Sequence, residues 1–121
     1  MITVKATREG LIGGVTSSGY VIDTHVPYVA LPSVNAVHPV HAVRVTNPLN
    51  GKTCIALVLD VGPGNEHDDA YVFGGSRPLA ESQKTFGDGV PSNGAGIDLG
   101  EYVWNFLGMT DNGPVEWEFV A

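Results

Sequence analysis

The chain has a single cysteine, Cys54, in 121 residues. An intrachain disulfide is therefore excluded. Cys54 lies inside TCIALVL and reads as a small buried hydrophobe. No cation or helix start stands beside it in sequence, which argues against a nucleophilic thiol. Basic residues are scarce too: six Lys and Arg against 13 Asp and Glu, a formal net charge of −7. They are scattered, and binding a phosphate backbone takes clustered cations, so nucleic acid is not an expected partner. Long apolar runs are missing. The opening MITVKATREGLIGG has no apolar core of the length a signal peptide or membrane span needs. No stretch has the pattern of a basic amphipathic membrane helix. GPGNEHDD lacks the Lys and Ser/Thr of a P-loop, and no G-x-S-x-G supports a serine hydrolase. No fixed-period repeat or heptad occurs.

Glycine and proline, by contrast, are abundant, at 16 and eight residues. With 43% hydrophobic and only 16% charged residues, the composition is that of a globular chain built from short strands and many turns. The length suits one domain, residues 1–121.

Residues 2–8 alternate weakly and predict a first strand. YVIDTHVPYVALP (20–32) mixes β-branched and aromatic residues with prolines and suits short extended pieces. HAVRVTN (41–47) alternates, with Val43 and Val45 on one face. TCIALVLD (53–60) is continuously apolar and reads as a central strand. Asn50-Gly51 between them supplies the turn of an antiparallel hairpin. Residues 64–93 form a long Gly- and Asp-rich excursion, with a short helix possible near PLAESQKTF. A loop of that length in a small domain is usually functional or mobile. IDLGEYVWNFLGM (97–109) predicts the one good helix: Leu99, Val103, Phe106 and Leu107 share a face, Asp98 lies at its start and Gly108 ends it. PVEWEFV (114–120) alternates as a closing strand, with Val115, Trp117 and Phe119 on one side.

The most informative stretch is ALVLDVGPG (56–64). An apolar strand runs straight into one carboxylate, Asp60, and then a Gly-Pro-Gly turn. An acid at the mouth of a core strand is partly out of water, where its pKa can be tuned. The alternative is a structural acid that accepts turn N–H groups. Asp98 has the same two readings, as a site acid or as a helix cap.

VRVTNPLNGKTCIALVLDVGP (43–63) resembles, without a gap, the rare lipoprotein A (RlpA-like) stretch V-R-V-T-N-L-x-N-G-R-S-V-x-V-R-V-N-D-R-G-P. GAGIDLGEYVWNFLGM (94–109) is similar to that family's G-R-I-I-D-L-S-x-x-A-A-x-x-L-G-M. TSSGYVID (16–23) resembles its T-A-S-G-E-x-x-D loop, VALP (29–32) its K-T-L-P, and GPVEWEFV its last strand. The resemblance implies a mainly β fold, a six-stranded double-psi β-barrel like those of expansin first domains, barwin-like proteins and family 45 endoglucanases. It would carry one short helix and the long inserted loop 64–93. The resemblance also implies action on cell-wall peptidoglycan, by lytic transglycosylase or glycosidase cleavage. The alternative is a non-catalytic glycan-binding or expansin-like wall-loosening module. A protein-interaction module or inhibitor, with 64–93 as its contact loop, is a third possibility.

The family's two motif acids fall on Asp60 and Asp98, the implied catalytic pair. Thr16, Ser17, Tyr20, Asp23 and Tyr28 are the implied substrate contacts. The chain departs from the family where Tyr20 replaces its loop Glu, Tyr28 its His and Val61 its Arg. A lytic transglycosylase can use one carboxyl group as acid and then base, because a sugar hydroxyl attacks; a hydrolase needs a second carboxylate. Tyr20, Tyr28 and Tyr71 could stack on sugar rings or simply pack, whereas Trp104 and Trp117 read as core. His38 and His41 in HPVH, and Glu66, His67, Asp68 and Asp69 in NEHDD, are metal-ligand types. Pro39 prevents a helix that would align the two His, and acidic loops are usually solvated, so no metal or cofactor is expected. The expected partner is the glycan strand of peptidoglycan. A monomer in an extracellular or periplasmic setting, with a phage association as an alternative, completes the expectation.

Overall fold

The computed structural model describes residues 2–120. Six strands close into a barrel in the order β1-β5-β2-β4-β3-β6. They are β1 (Ile2–Arg8), β2 (Tyr28–Leu31), β3 (Ala42–Thr46), β4 (Thr53–Val61), β5 (Ile97–Leu99) and β6 (Gly113–Phe119). Two helices are short: α1 (Asp69–Val72) and α2 (Glu101–Phe106). The fold is mainly β, as the sequence predicts.

β1 pairs with β5 and β2 with β4 in parallel, while β2 and β5 are antiparallel. The remaining contacts, β3 with β4 and β6, and β1 with β6, are antiparallel. Each strand therefore has two partners and no edge is left open. The expected hairpin forms with Arg44 opposite Ile55, and Gly51 takes the left-handed conformation its turn requires.

The barrel interior follows from alternation. Val4 and Ala6 of β1, Val29 and Leu31 of β2, Val43 and Val45 of β3 point inward with Cys54, Ala56 and Val58 of β4. Ile97 and Leu99 of β5, with Val115 and Trp117 of β6, complete the core. α2 closes one end with Val103 and Trp104, and Leu107 follows it into the core. Trp104 also carries Arg8 over its ring, 5.9 Å from the centroid. Gly108, at φ 69°, ends this helical turn as expected.

One expected element changes. The helix of 97–109 splits: 97–99 is strand β5, and helix begins only at Glu101. Asp98 is the middle residue of that strand, so the helix-cap reading is replaced; Gly100 occupies the cap position. The reason is burial. Ile97 and Leu99 are both fully buried on one face, a period of two that barrel closure enforces over the helical spacing of Leu99, Val103 and Leu107.

Residues 64–93 are a structured excursion between β4 and β5. Asp68, almost wholly buried, accepts the Leu79 N–H at 2.8 Å. Asp69 accepts from Ser33 and Asn35, tying α1 to the end of β2. Tyr71 sits in the core, donating to the Gly96 carbonyl at 2.9 Å and accepting from Trp117 Nε1 at 2.8 Å. Tyr71 is thus a packing residue and offers no ring to a sugar.

Candidate functional site

β2 is the strand that assembles the site. Its Ala30 is the cross-strand partner of Asp60 on one side and of Asp98 on the other. Asp98 in turn pairs with Thr7 of β1. Thr7, Asp98, Ala30 and Asp60 thus form one row across four strands, on the outer face of the barrel.

Asp60 joins that row through an irregularity. Along β4, Cys54, Ala56 and Val58 point into the core, so strict alternation would turn Asp60 inward as well. The pairing with β2 shifts between Val29 and Ala30: Val29 opposes Val58, but Ala30 opposes Asp60. Leu59 is the extra residue, a β-bulge. It packs outside the barrel against Ile22 and Tyr28, and Val61 returns to the core side. The bulge re-aims Asp60 outward.

A third acid completes the cluster. Glu9 lies one residue beyond β1, held by its N–H to the Leu99 carbonyl at 2.8 Å. Burial pushes its pKa up to about 8, contact with the Asp60 carboxyl group and its charge add to the rise, and Tyr28 opposes it. Glu9 therefore keeps its proton at neutral pH. Asp98 is raised to about 6, chiefly by burial, while the Thr7 hydroxyl on its Oδ1 pulls the value down and the charge of Asp60 pushes it up. Beneath them Tyr28 is fully buried, its phenol facing the Glu9 carboxyl group. Burial and the charges of Glu9 and Asp60 raise the Tyr28 pKa, so the phenol stays neutral.

Asp60 is also tied to the loop above it. Its Oδ1 accepts from the Ser17 N–H at 3.0 Å and from its neighbour Val61 at 2.9 Å. Both amide bonds end on that one oxygen, and the side chain stays partly exposed. The expected site acids are therefore together and on the same face, each partly exposed.

The expected substrate contacts divide. Ser17 is exposed at the rim, its Oγ 3.0 Å from His38 Nε2. Thr16 is buried and braces the loop: its Oγ1 accepts from the Tyr20 N–H and pairs with Ser18. Asp23 organises a turn, accepting from the Tyr20 hydroxyl and the His25 and Val26 amides, and those bonds lower its pKa. Tyr20 packs edge-on against Tyr28 at 5.3 Å. Tyr28, wholly buried, has no free face for stacking; its place is under the acids. His41 donates or accepts only locally, at the Ala36 and Pro39 carbonyls. Among the described residues, no group of three or more His, Cys, Asp and Glu side chains is placed to hold a metal ion.

Two matching turns border the row. Val15 bridges Val21, and Thr85 bridges Pro91. In each, the residue after the first bridge partner donates across the turn (Thr16 to Tyr20 and Phe86 to Val90), and a left-handed glycine, Gly19 or Gly89, donates back. The first turn rests on Asp60. In the second, Phe86 lies so close to Gly64 that a Cβ there would come within 2.1 Å of it. Gly64 follows Gly62, whose Cα lies beside Asp98 Oδ2: a Cβ would stand 3.5 Å away. The row thus lies in a trough between two turns, with Thr7 and Ala30 buried and Asp60 and Asp98 partly exposed.

Glu9 was the site residue the sequence left unmarked. ATREG carries no motif, and the signal available was only an acid at the end of an alternating strand, the same signal that marked Asp60.

Comparison with known proteins fits this architecture. Residues 1–85 match the family model described as Domain of unknown function (DUF8814). Among solved structures, the Streptomyces papain inhibitor (SPI) is similar over 99% of this chain and 94% of that one, at 18% identity and a TM-score of 0.58. At that identity the likeness concerns the fold. No curated protein matches the chain.

Proposed function

We propose that this chain, which belongs to the family described as Domain of unknown function (DUF8814), acts on a cell-wall glycan strand by carboxyl acid–base chemistry. The observation that carries the reading is the Glu9–Asp60–Asp98 cluster: acids from β4, β5 and the residue after β1 on one partly exposed face, with Glu9 holding a proton at neutral pH. Acids whose environments separate their pKa values are the mark of acid–base assignment.

In this reading Glu9 protonates the glycosidic oxygen, and the bond to the anomeric carbon breaks. The Asp60 carboxylate faces the positive charge that develops on the sugar. The sugar's own primary hydroxyl attacks the anomeric carbon and returns its proton to Glu9, closing an anhydro ring. Asp98, bound by Thr7, positions the cluster through charge.

A second reading is a barrel that occupies a protein partner. It is favoured by the exposed apolar side chains on the loop above the trough, Leu11 at 69% and Val15 at 70% exposure, and by the fold shared with the papain inhibitor.

Incubation with purified sacculi, followed by mass spectrometry of the soluble products, separates the readings. Anhydro-muropeptides that vanish with Asp60→Asn and Glu9→Gln support cleavage. Retention on sacculi without product supports a glycan-binding module. Neither outcome leaves the protein-partner reading.

A further inference from the structure

We propose that His38 is a positioning residue for Asp60, acting through Ser17 to hold the first turn at the edge of the trough. On the glycan reading above, on which this rests, the Asp60 carboxylate faces the charge that develops on the sugar, so its placement bears on rate.

Ser17 is the link. Its N–H donates to Asp60 Oδ1 at 3.0 Å, and its Oγ lies 3.0 Å from His38 Nε2. The three residues are remote in sequence: Ser17 is 21 positions from His38 and 43 from Asp60. The turn keeps its shape without His38. Thr16 donates its N–H to the Tyr20 carbonyl, Gly19 donates back to Thr16, and the Thr16 hydroxyl accepts from the Tyr20 N–H.

The placement of the turn is another matter. Among the described residues, three hydrogen bonds tie 16–19 to the rest of the barrel. They are those of Ser17 to Asp60 and to His38, and that of the Ser18 N–H to the Leu59 carbonyl at 3.2 Å. Two of them end on the bulge in β4, at Leu59 and Asp60. Only the bond to His38 fixes the turn from outside that strand and resists its pivoting about the bulge.

His38 can serve as this outside point because its backbone is held. Its N–H donates to the Val34 carbonyl at 3.0 Å, on the 3-10 turn Val34–Ala36 whose start Ser33 caps through the Asn35 N–H. The His41 N–H then donates to the Ala36 carbonyl at 3.1 Å, just before β3 begins. The His38 ring is exposed, and among the described residues its hydrogen-bond partner is Ser17. A hydrogen bond between exposed side chains adds little to global stability. A reacting group misplaced by about 1 Å, however, can cost about 10²-fold in rate. Position, not stability, is what this contact controls.

The test combines turnover of purified sacculi with NMR hydrogen exchange. His38→Ala removes the contact, and His38→Gln keeps a polar group where Nε2 stands. In His38→Ala the maximal rate of product release should fall by about 10- to 100-fold. Retention on sacculi and the melting temperature should not change, and the Ser17 amide proton should exchange faster with solvent. His38→Gln should restore most of the rate. Ser17→Ala also removes the contact but keeps the N–H that reaches Asp60. A double variant, His38→Ala with Ser17→Ala, should therefore be no slower than the slower single one.

Additive losses in the double variant overturn the inference, because His38 then acts by another route than Ser17. An unchanged rate in His38→Ala overturns it too, as does a fall that follows the melting temperature and that glutamine does not rescue. Each of these leaves the glycan reading intact, because the wild-type protein still releases product. Wild-type protein that releases no product overturns that reading and the inference with it.

Discussion

Asp60 and Asp98 lie on strands that do not pair with each other, yet both are registered against the same residue, Ala30 of β2. Their charges therefore act on each other and on Glu9. In Asp60→Asn, Glu9 is expected to titrate well below about 8, because it loses a charged contact, and Asp98 to fall more modestly below about 6. Both stay above ordinary carboxyl values, since burial is the leading cause of each rise. Carboxyl carbon chemical shifts followed against pH by NMR measure this. A Glu9 that titrates unchanged would show that the two groups do not share a site.

The same shifts set how stability depends on pH. Glu9 and Asp98 bind protons more tightly folded than unfolded, so the folded state holds more protons between their ordinary values and about 8 and about 6. Stability then falls as pH rises through that window. Urea unfolding should give a higher midpoint near pH 5 than near pH 8. In Glu9→Gln the loss between pH 6 and 8 should largely disappear, since Asp98 has titrated by then. Each unit of retained pKa difference corresponds to about 1.4 kcal/mol before solvent screening reduces it.

Gly100→Ala tests the floor beneath the acids. A Cβ at Gly100 would come within 2.4 Å of the Tyr28 ring, which cannot retreat because it is packed against Ile22 and Leu59. Overpacking of this kind costs about 1–3 kcal/mol. The measurable result is a lower melting temperature. A drop in the Glu9 pKa should accompany it, as water reaches a displaced ring.

Most of the barrel could be read from the sequence because alternation is a local signal. β3, β4 and β6 announced themselves through Val43 and Val45, the TCIALVL run, and Val115 with Trp117. β5 did not, because three residues cannot show a period, and Leu99 also fits the helical spacing that follows. Asp60 and Asp98 were visible through a family resemblance and an odd acid after an apolar run. What placed them together was not visible: the bulge at Leu59 depends on pairing with a strand some thirty residues away. Glu9 was missed for the same reason, since the groups it meets, Tyr28, Asp60 and the Leu99 carbonyl, are remote in sequence.

Activity should follow the proton on Glu9. If cleavage uses that proton, product release from sacculi declines as pH rises through about 8, where Glu9 loses it. Glu9→Gln keeps the shape and removes the acid, so the rate should fall by about 10²–10⁴ and the decline near pH 8 should vanish. Product formation that continues unchanged in Glu9→Gln assigns the proton to another group.

Tyr71→Phe provides the control that separates folding from chemistry. The Tyr71 hydroxyl links the Gly96 carbonyl to Trp117 Nε1, joining the 64–93 excursion to the inner face of β6. Its ring also meets Trp117 edge-on at 5.9 Å, a contact that phenylalanine preserves. Removing only the hydroxyl leaves a buried acceptor and a buried donor unpaired, at a cost of about 1–3 kcal/mol. Thermal unfolding should register that loss. The Glu9 and Asp98 titrations should not move, because Tyr71 is absent from the groups that set either pKa. If both titrations shift with Tyr71→Phe, the trough depends on how the excursion docks, and its acids report overall packing instead of a locally built site.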